Sequence, residues 1–175
     1  MQQEFPGSEL EKLIARFRSQ KACLDLAARL VADLEGPILD LGLGKGRTFD
    51  HLRRLFPNRS IFAFDLVMHA PEHCRPSPNQ LILGDFLETL VGFEAKAGPA
   101  ALVHADIGSR DRAADAQLAA KLAPLIDQVV LPGAVILSDR PLESPGWYAL
   151  EPPLEAGVWP YFMRQVGGDR LKKPQ

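Results

Sequence analysis

The chain reads as an α/β protein built on an open, mostly parallel sheet of seven strands with helices on both faces. Two observations predict this. From Pro37 onward, short and almost wholly apolar runs alternate with polar stretches of helical length, the pattern of strands that are covered on both sides and joined by crossovers. The last third is instead rich in proline and carries two runs, Trp147–Leu150 and Tyr161–Val166, that suit an antiparallel hairpin at one sheet edge.

The elements follow in order. Ser8 with Glu11 three residues later forms a capping box. Leu10, Leu13, Ile14 and Phe17 then recur at helical spacing, and a second stripe, Ala27, Leu30, Val31 and Leu34, runs to a stop at Glu35-Gly36. One or two helices over residues 9–34 are expected to pack both stripes on later parts of the chain. Parallel strands are expected at Ile38–Leu41, Ile61–Asp65, Leu81–Leu83, Ala101–Val103 and Ala134–Leu137. Crossover helices fit between residues 41 and 60 and between 110 and 130. The 66–80 connection carries Pro71, Pro76 and Pro78, so it should be largely loop. The tail 171–175 should fray. No repeat or linker divides the chain, which predicts one domain over residues 1–175 with residues 1–36 as an N-terminal helical segment packed on it.

Composition narrows the function. With 175 residues, 46% of them hydrophobic and 24% charged, the chain is neither disordered nor membrane-spanning. Its longest apolar stretch, Leu122–Leu137, is broken by Pro124, Asp127 and Pro132. No signal peptide is visible and two cysteines make no disulfide framework, so the expected setting is cytoplasmic. The net charge is −2 and the basic residues are dispersed. Arg53, Arg54 and Arg59 read as a solvated helix end, and neither nucleic acid nor membrane is expected as a partner.

The stretch Pro37-Ile-Leu-Asp40-Leu-Gly42-Leu-Gly44-Lys-Gly46-Arg-Thr48 carries the chemistry. A strand enters a glycine-rich turn and leaves as a helix, which brings a ligand close to main-chain N–H groups. A P-loop needs Ser or Thr after its lysine, but Lys45 precedes Gly46. A dinucleotide fingerprint needs its third glycine one position later than Gly46.

The spacing Gly42-x-Gly44-x-Gly46, with Asp40 two residues ahead, resembles motif I of class I S-adenosylmethionine-dependent methyltransferases. Further landmarks follow in the family's order: Asp65 ending the second strand, Gly84-Asp85-Phe86 after the third, Asp106 after the fourth, and Leu131-Pro-Gly-Ala134 before the fifth. Together they cover roughly residues 37–139. The whole is also similar to a small group of stand-alone bacterial methyltransferases. The resemblance implies a Rossmann-like fold and S-adenosyl-L-methionine as cofactor, with S-adenosyl-L-homocysteine as product. It places Gly42, Gly44 and Gly46 under the methionine moiety, Asp40 near its ammonium, Asp65 at the ribose, and Asp85 with Phe86 at the adenine.

On the acceptor side the sequence is quieter. His104 and Asp106, at the end of the fourth strand, are the candidate catalytic residues. The Asn/Asp-Pro-Pro-Tyr/Phe signature of adenine- and glutamine-directed N-methyltransferases is absent there, where His104-Ala-Asp-Ile-Gly-Ser109 stands. Ser138-Asp-Arg140 resembles the Asp-Asn pair of magnesium-dependent O-methyltransferases, but Arg140 replaces the neutral residue and opposes a cation. His69 and His73 are separated by Pro71, and with Cys74 they line a loop. No metal site is expected. Tyr148, Trp159 and Tyr161 could wall a substrate or simply pack at the edge. The reading is methyl transfer to an oxygen or nitrogen of a small-molecule acceptor, with a homodimer possible. The alternatives are a non-catalytic binder of the same cofactor and an NAD(P)-dependent oxidoreductase.

Overall fold

The computed structural model describes residues 6–109 and 111–168. The predicted frayed tail, residues 171–175, lies outside the described residues. Seven strands form one sheet: β1 (Ile38–Leu41), β2 (Ile61–Asp65), β3 (Leu81–Leu83), β4 (Ala100–Ala105), β5 (Val130–Ser138), β6 (Trp147–Leu150) and β7 (Phe162–Val166). Their order is β3-β2-β1-β4-β5-β7-β6. The first five are parallel, while β7 pairs antiparallel with both β5 and β6. The fold class and the edge hairpin are those the sequence predicts. But β5 starts at Val130, so Leu131-Pro-Gly-Ala134, expected as the turn before it, lies within the strand, where the pairing with β4 shifts register.

One helix, α1 (Glu9–Leu30), replaces the predicted one or two. Ser8 caps it, with the Glu11 carboxylate returning to the Ser8 N–H at 2.7 Å. Its other end is held from outside, because Arg59 donates to the carbonyls of Val31 and Ala32 at 2.9 Å. The two apolar stripes meet different fates. Cys23, Leu24, Ala27 and Val31 are buried on the sheet, whereas Leu10, Leu13 and Ile14 stay exposed at 67%, 47% and 59%. The first stripe stays at the surface, while Arg16 in the same half of the helix reaches Asp106 after β4.

Helix α2 (Arg47–Leu55) shares the α1 face, burying Phe49 and Leu52. The opposite face is covered by α4 (Phe93–Ala97) and α5 (Arg112–Gln128), through Phe93, Ala119, Leu122, Ala123 and Ile126. Alternation within β1 divides the core, with Ile38 facing the α1 side and Leu39 and Leu41 the α5 side. The β3–β4 crossover holds two short helices, α3 (Phe86–Thr89) and α4. The 66–80 connection contains only a 3-10 turn, Glu72–Cys74, among its described residues, as its prolines predict. No described helix is long and apolar enough to cross a membrane.

Candidate functional site

Sheet order places the predicted residues along one edge. The chain reverses direction across the sheet between β1 and β4, and parallel sheets bind ligands in the crevice at such a switch. Reading along the carboxyl ends, Asp85 follows β3, Asp65 ends β2, the glycine loop follows β1, Asp106 follows β4 and Asp139 follows β5.

The glycine loop is shaped by what it touches. Gly42 has φ +92° and lies so close to the Asp106 carbonyl that a Cβ would overlap it. Gly46, at φ +71°, has the Cys74 carbonyl 2.6 Å from the position of a Cβ. Gly44, at φ +48°, has nothing within 4 Å of that position, so this part of the loop is an open face of bare backbone. Gly46 heads α2 without a side-chain cap, leaving the first-turn N–H groups directed outward.

Asp65 ties β2 to this loop. Its Oδ2 accepts from the Gly44 N–H at 2.8 Å and its Oδ1 from the Leu66 N–H at 2.7 Å. Oδ1 also takes the Val67 N–H at 3.5 Å, so Oδ2 is the oxygen with a lone pair to spare, which suits a ligand hydroxyl. Asp85 is exposed, and its Oδ1 caps α3 through the Leu87 N–H at 2.8 Å, with Phe86 half-buried beside it. Around these acids Leu66, Val67 and Leu83 stand 67%, 53% and 52% exposed. Apolar side chains left in water beside ordered carboxylates suit a flat, polar-edged ligand.

Asp40 and His104 occupy the space beneath. They are direct partners in the β1–β4 register, and both are fully buried. Asp40 Oδ1 lies 2.7 Å from His104 Nδ1, while Gln20 of α1 meets His104 Nε2 at 3.1 Å. Tyr161 stacks on the imidazole at 6.2 Å between ring centroids. Burial alone would lower the His104 pKa, but the hydrogen bond and charge of Asp40 and the charges of Asp106 and Asp139 hold it above the ordinary value. Asp40 Oδ2 has no hydrogen-bond partner among the described residues. Asp40, expected near a ligand's ammonium, and His104, expected as a catalytic residue, thus form one fully buried pair across β1 and β4.

Asp106 at this end is partly exposed. Its carboxylate is 21% exposed, and both oxygens accept from Nη2 of Arg16 at 2.7 Å. On the far side Asp139 accepts from the Ile107 and Gly108 N–H groups at 3.0 Å. Burial and the Asp106 charge raise its pKa against the pull of Arg140. Arg140 binds Asp139 at 3.2 Å and Asp115 at 2.7 Å, and Asp115 also takes the Ser109 N–H and hydroxyl. The β4–α5 loop is thus laced to β5 by a guanidinium. Among the described residues no cluster of three or more His, Cys, Asp or Glu could hold a metal ion. His69 and His73 are exposed in the 66–80 connection. Tyr148 is 60% exposed on β6, whereas Tyr161 stacks on the ring of His104.

A family model described as S-adenosyl-L-methionine methyltransferase matches residues 7–164. The chain belongs to that family. A crystal structure of an S-adenosyl-L-methionine methyltransferase from Silicibacter pomeroyi DSS-3 is 36% identical with a TM-score of 0.86, over 93% of this chain and all of that one. The calicheamicin methyltransferase CalS11 shares the fold at 16% identity and a TM-score of 0.60, over 96% and 88% of the two chains. Human methyltransferase-like protein 13, solved in complex with SAH, does so at 13% identity and a TM-score of 0.60, over 90% and 85%. A comparison with curated proteins returns no match.

The methyltransferase uses S-adenosyl-L-methionine as methyl donor, and the oxidoreductase and non-catalytic alternatives fall away with the family match. The open backbone at Gly44 and the spare acceptor on Asp65 Oδ2 suit a polar ligand of that kind. Sequence reasoning missed Arg16 and Gln20, whose partners lie 90 and 84 residues away. One signal for them existed. They follow Leu13 at i+3 and i+7, polar positions set into the apolar face of α1.

Proposed function

We propose that residues 1–175 act as one methyltransferase domain that moves a methyl group to an oxygen or nitrogen of a small-molecule acceptor in the cytoplasm. One observation supports the cofactor geometry above all others. The order of groups along the sheet edge, Asp85, Asp65, glycine loop and β4 end, parallels the order of adenine, ribose, sulfonium and amino acid in the donor. Neighbouring strands are about 4.8 Å apart, so each part of the cofactor meets the end of a different strand. Asp85 and Phe86 take the adenine, with Leu66, Val67 and Leu83 as its apolar walls. Asp65 takes the ribose hydroxyls, and Gly42, Gly44 and Gly46 let the 5′ chain cross bare backbone.

The bound cofactor supplies an activated methyl group on a positively charged sulfur. The chain's own task is positional: to hold an acceptor in line at the β4 end and keep water out. Gly108, held by Asp139, and Ser109, held by Asp115, give that end a fixed wall. His104 and Asp40 keep β1 and β4 in register below it. His104 acts by positioning, since both its ring nitrogens are engaged and its surface is closed.

Thermal unfolding with S-adenosylhomocysteine, S-adenosylmethionine or NAD+ tests the cofactor half. At a hundred times its dissociation constant a ligand adds about 2.7 kcal/mol, a rise in midpoint of roughly 5–10 °C for a domain of this size. A rise with the adenosyl ligands alone is expected, and a rise with NAD+ alone would overturn the reading. Methyl transfer from labelled donor to a panel of small hydroxyl and amine compounds tests the acceptor half. Turnover confined to a protein or nucleic-acid acceptor would refute the small-molecule assignment.

A further inference from the structure

We infer that the first half of α1 is a docking surface for a second copy of this chain, which packs its own α1 there, antiparallel, about a two-fold axis between Leu13 and Ile14. The inference is independent of the cofactor placement proposed above and concerns a helix face that the fold leaves in water.

The face is apolar and uncovered. The buried residues of α1 are Ser19, Gln20, Cys23, Leu24 and Ala27, none of them ahead of position 19. Ahead of them Leu10, Leu13 and Ile14 are exposed, and Phe17 is half-buried at the same helical spacing. The exposed Leu66, Val67 and Leu83 have a different setting, next to Asp65 and Asp85 in the chain. A continuous apolar stripe in water, edged by charge, marks a contact with another protein surface.

The order of the side chains identifies that surface. At about 100° per residue, Leu10 and Phe17 run down the middle of the stripe, with Leu13 to one side and Ile14 to the other. Beyond Leu13 stand Glu9 and Arg16, and beyond Ile14 stand Glu11 and Arg18. A two-fold axis between positions 13 and 14 brings Leu10 of one copy to Phe17 of the other, and Leu13 and Ile14 each to their own mates. On the flanks it brings Glu9 to Arg16 and Glu11 to Arg18. Apolar meets apolar and acid meets base, as an isologous contact requires. A parallel pairing would instead set acids against acids at one end and bases against bases at the other.

The flanking charges have capacity to spare. Glu11 and Arg18 are both exposed, and Arg18 gives Nε to the Glu155 carbonyl, which leaves both of its Nη groups for a carboxylate. Arg16 holds Asp106 through Nη2 alone. Ten residues of helix run only about 15 Å, and one such face buries less than the roughly 800 Å² per partner of a standard interface. The dimer is therefore reversible, with a dissociation constant in the micromolar range. Its position matters for the site. Arg16 reaches Asp106 and Phe17 meets Arg47 at the start of α2, so association holds in place the part of α1 that touches the β4 end and the helix after the glycine loop.

Sedimentation velocity of the full chain from about 1 to 200 µM tests the association. The mass is expected to rise with concentration towards twice 19.2 kDa. Ile14→Glu sets two acids together at the axis and should abolish the rise. Arg18→Glu turns two opposite-charge pairs into like-charge pairs and should weaken association about 5-fold or more. Circular dichroism and thermal midpoints check that both variants fold. Disulfide trapping tests the register separately, with Cys23 and Cys74 buried. Ile14→Cys falls beside its own mate and should cross-link under mild oxidation, whereas Leu10→Cys lies about 10 Å along the helix from its mate and should not. A chain that stays monomeric throughout would overturn the inference. So would a dimer that Ile14→Glu leaves intact, or one that cross-links at position 10 as readily as at 14, because the copies would then meet through another face or in another register.

Discussion

Asp40 and His104 face each other across β1 and β4 as direct register partners, joined at 2.7 Å with no surface open to solvent. A buried pair of this kind keeps a proton that the unfolded chain would release. The His104 pKa is raised in the folded state, because the Asp40 hydrogen bond and charge outweigh the opposing effect of burial. Its contribution to stability is therefore complete below the ordinary histidine value of about 6.5 and is lost as pH rises through the folded value. Urea unfolding from pH 6 to 9 should show stability falling above about pH 6.5, the unfolded value, with a slope of up to about 1.4 kcal/mol per pH unit until the folded value is passed. His104→Asn keeps a donor for Asp40 but cannot titrate, and its curve should fall less steeply between about pH 6.5 and 8 than that of the wild type. An unchanged slope in the variant would assign the proton elsewhere.

Two glycines of one loop should respond differently to the same methyl group. A Cβ at Gly42 would overlap the Asp106 carbonyl, whereas at Gly44 it would meet nothing within 4 Å. Gly42→Ala should lose both stability and cofactor binding, since β1 and the β4 end would have to part. Gly44→Ala, at φ +48°, should cost only about 1 kcal/mol of stability yet still reduce S-adenosylhomocysteine affinity, because a ligand needs that open backbone. Denaturation midpoints and calorimetric titration of both variants check the contrast. Full affinity in Gly44→Ala would show that nothing lies over the loop.

Asp65 holds the loop and serves the ligand with the same carboxylate. Its Oδ2 takes the Gly44 N–H and its Oδ1 the Leu66 N–H. Asp65→Ala should weaken S-adenosylhomocysteine by about 1.5–3 kcal/mol, the worth of hydrogen bonds to a charged acceptor. Asp65→Asn keeps one acceptor oxygen and should lose less. Equal affinity in all three proteins would mean that the ribose lies off β2.

The fold was legible because its signals are local. Each parallel strand is a short apolar run, and the glycine spacing lies within five consecutive residues, so neither needs a partner to be read. The ligand side of β2 and β3 was legible for the same reason, since Asp65 and Asp85 end or follow strands. The β4 end was not. What surrounds Asp106 comes from α1 and from β5, and the choice between a buried and an accessible acid, Asp40 against Asp106, depends on a helix that crosses the sheet edge. The apolar stripe of Leu10, Leu13 and Ile14 misled by the same logic. Periodicity announces an amphipathic helix but not how far the sheet beneath it extends.

Arg140 stands where a metal-dependent relative would need a neutral ligand, and its contacts show what it does there. It joins Asp139 at 3.2 Å and Asp115 at 2.7 Å, and its Nη2 donates to the Ser109 carbonyl at 3.2 Å. Asp139 is further occupied by the Ile107 and Gly108 N–H groups. A divalent cation between Asp106 and Asp139 would have to approach a fixed guanidinium and displace bonds that shape the β4–α5 loop. Magnesium should therefore leave the thermal midpoint of the S-adenosylhomocysteine complex within 1 °C (~0.3 kcal/mol or less for a domain of this size) of its value with a chelator. Arg140→Asn restores a neutral oxygen ligand beside Asp139 and removes the competing charge, and this variant alone should gain stability from added magnesium. A magnesium-dependent rise in the wild type would mean that Arg140 swings away on binding and that the carboxylates are a metal site after all.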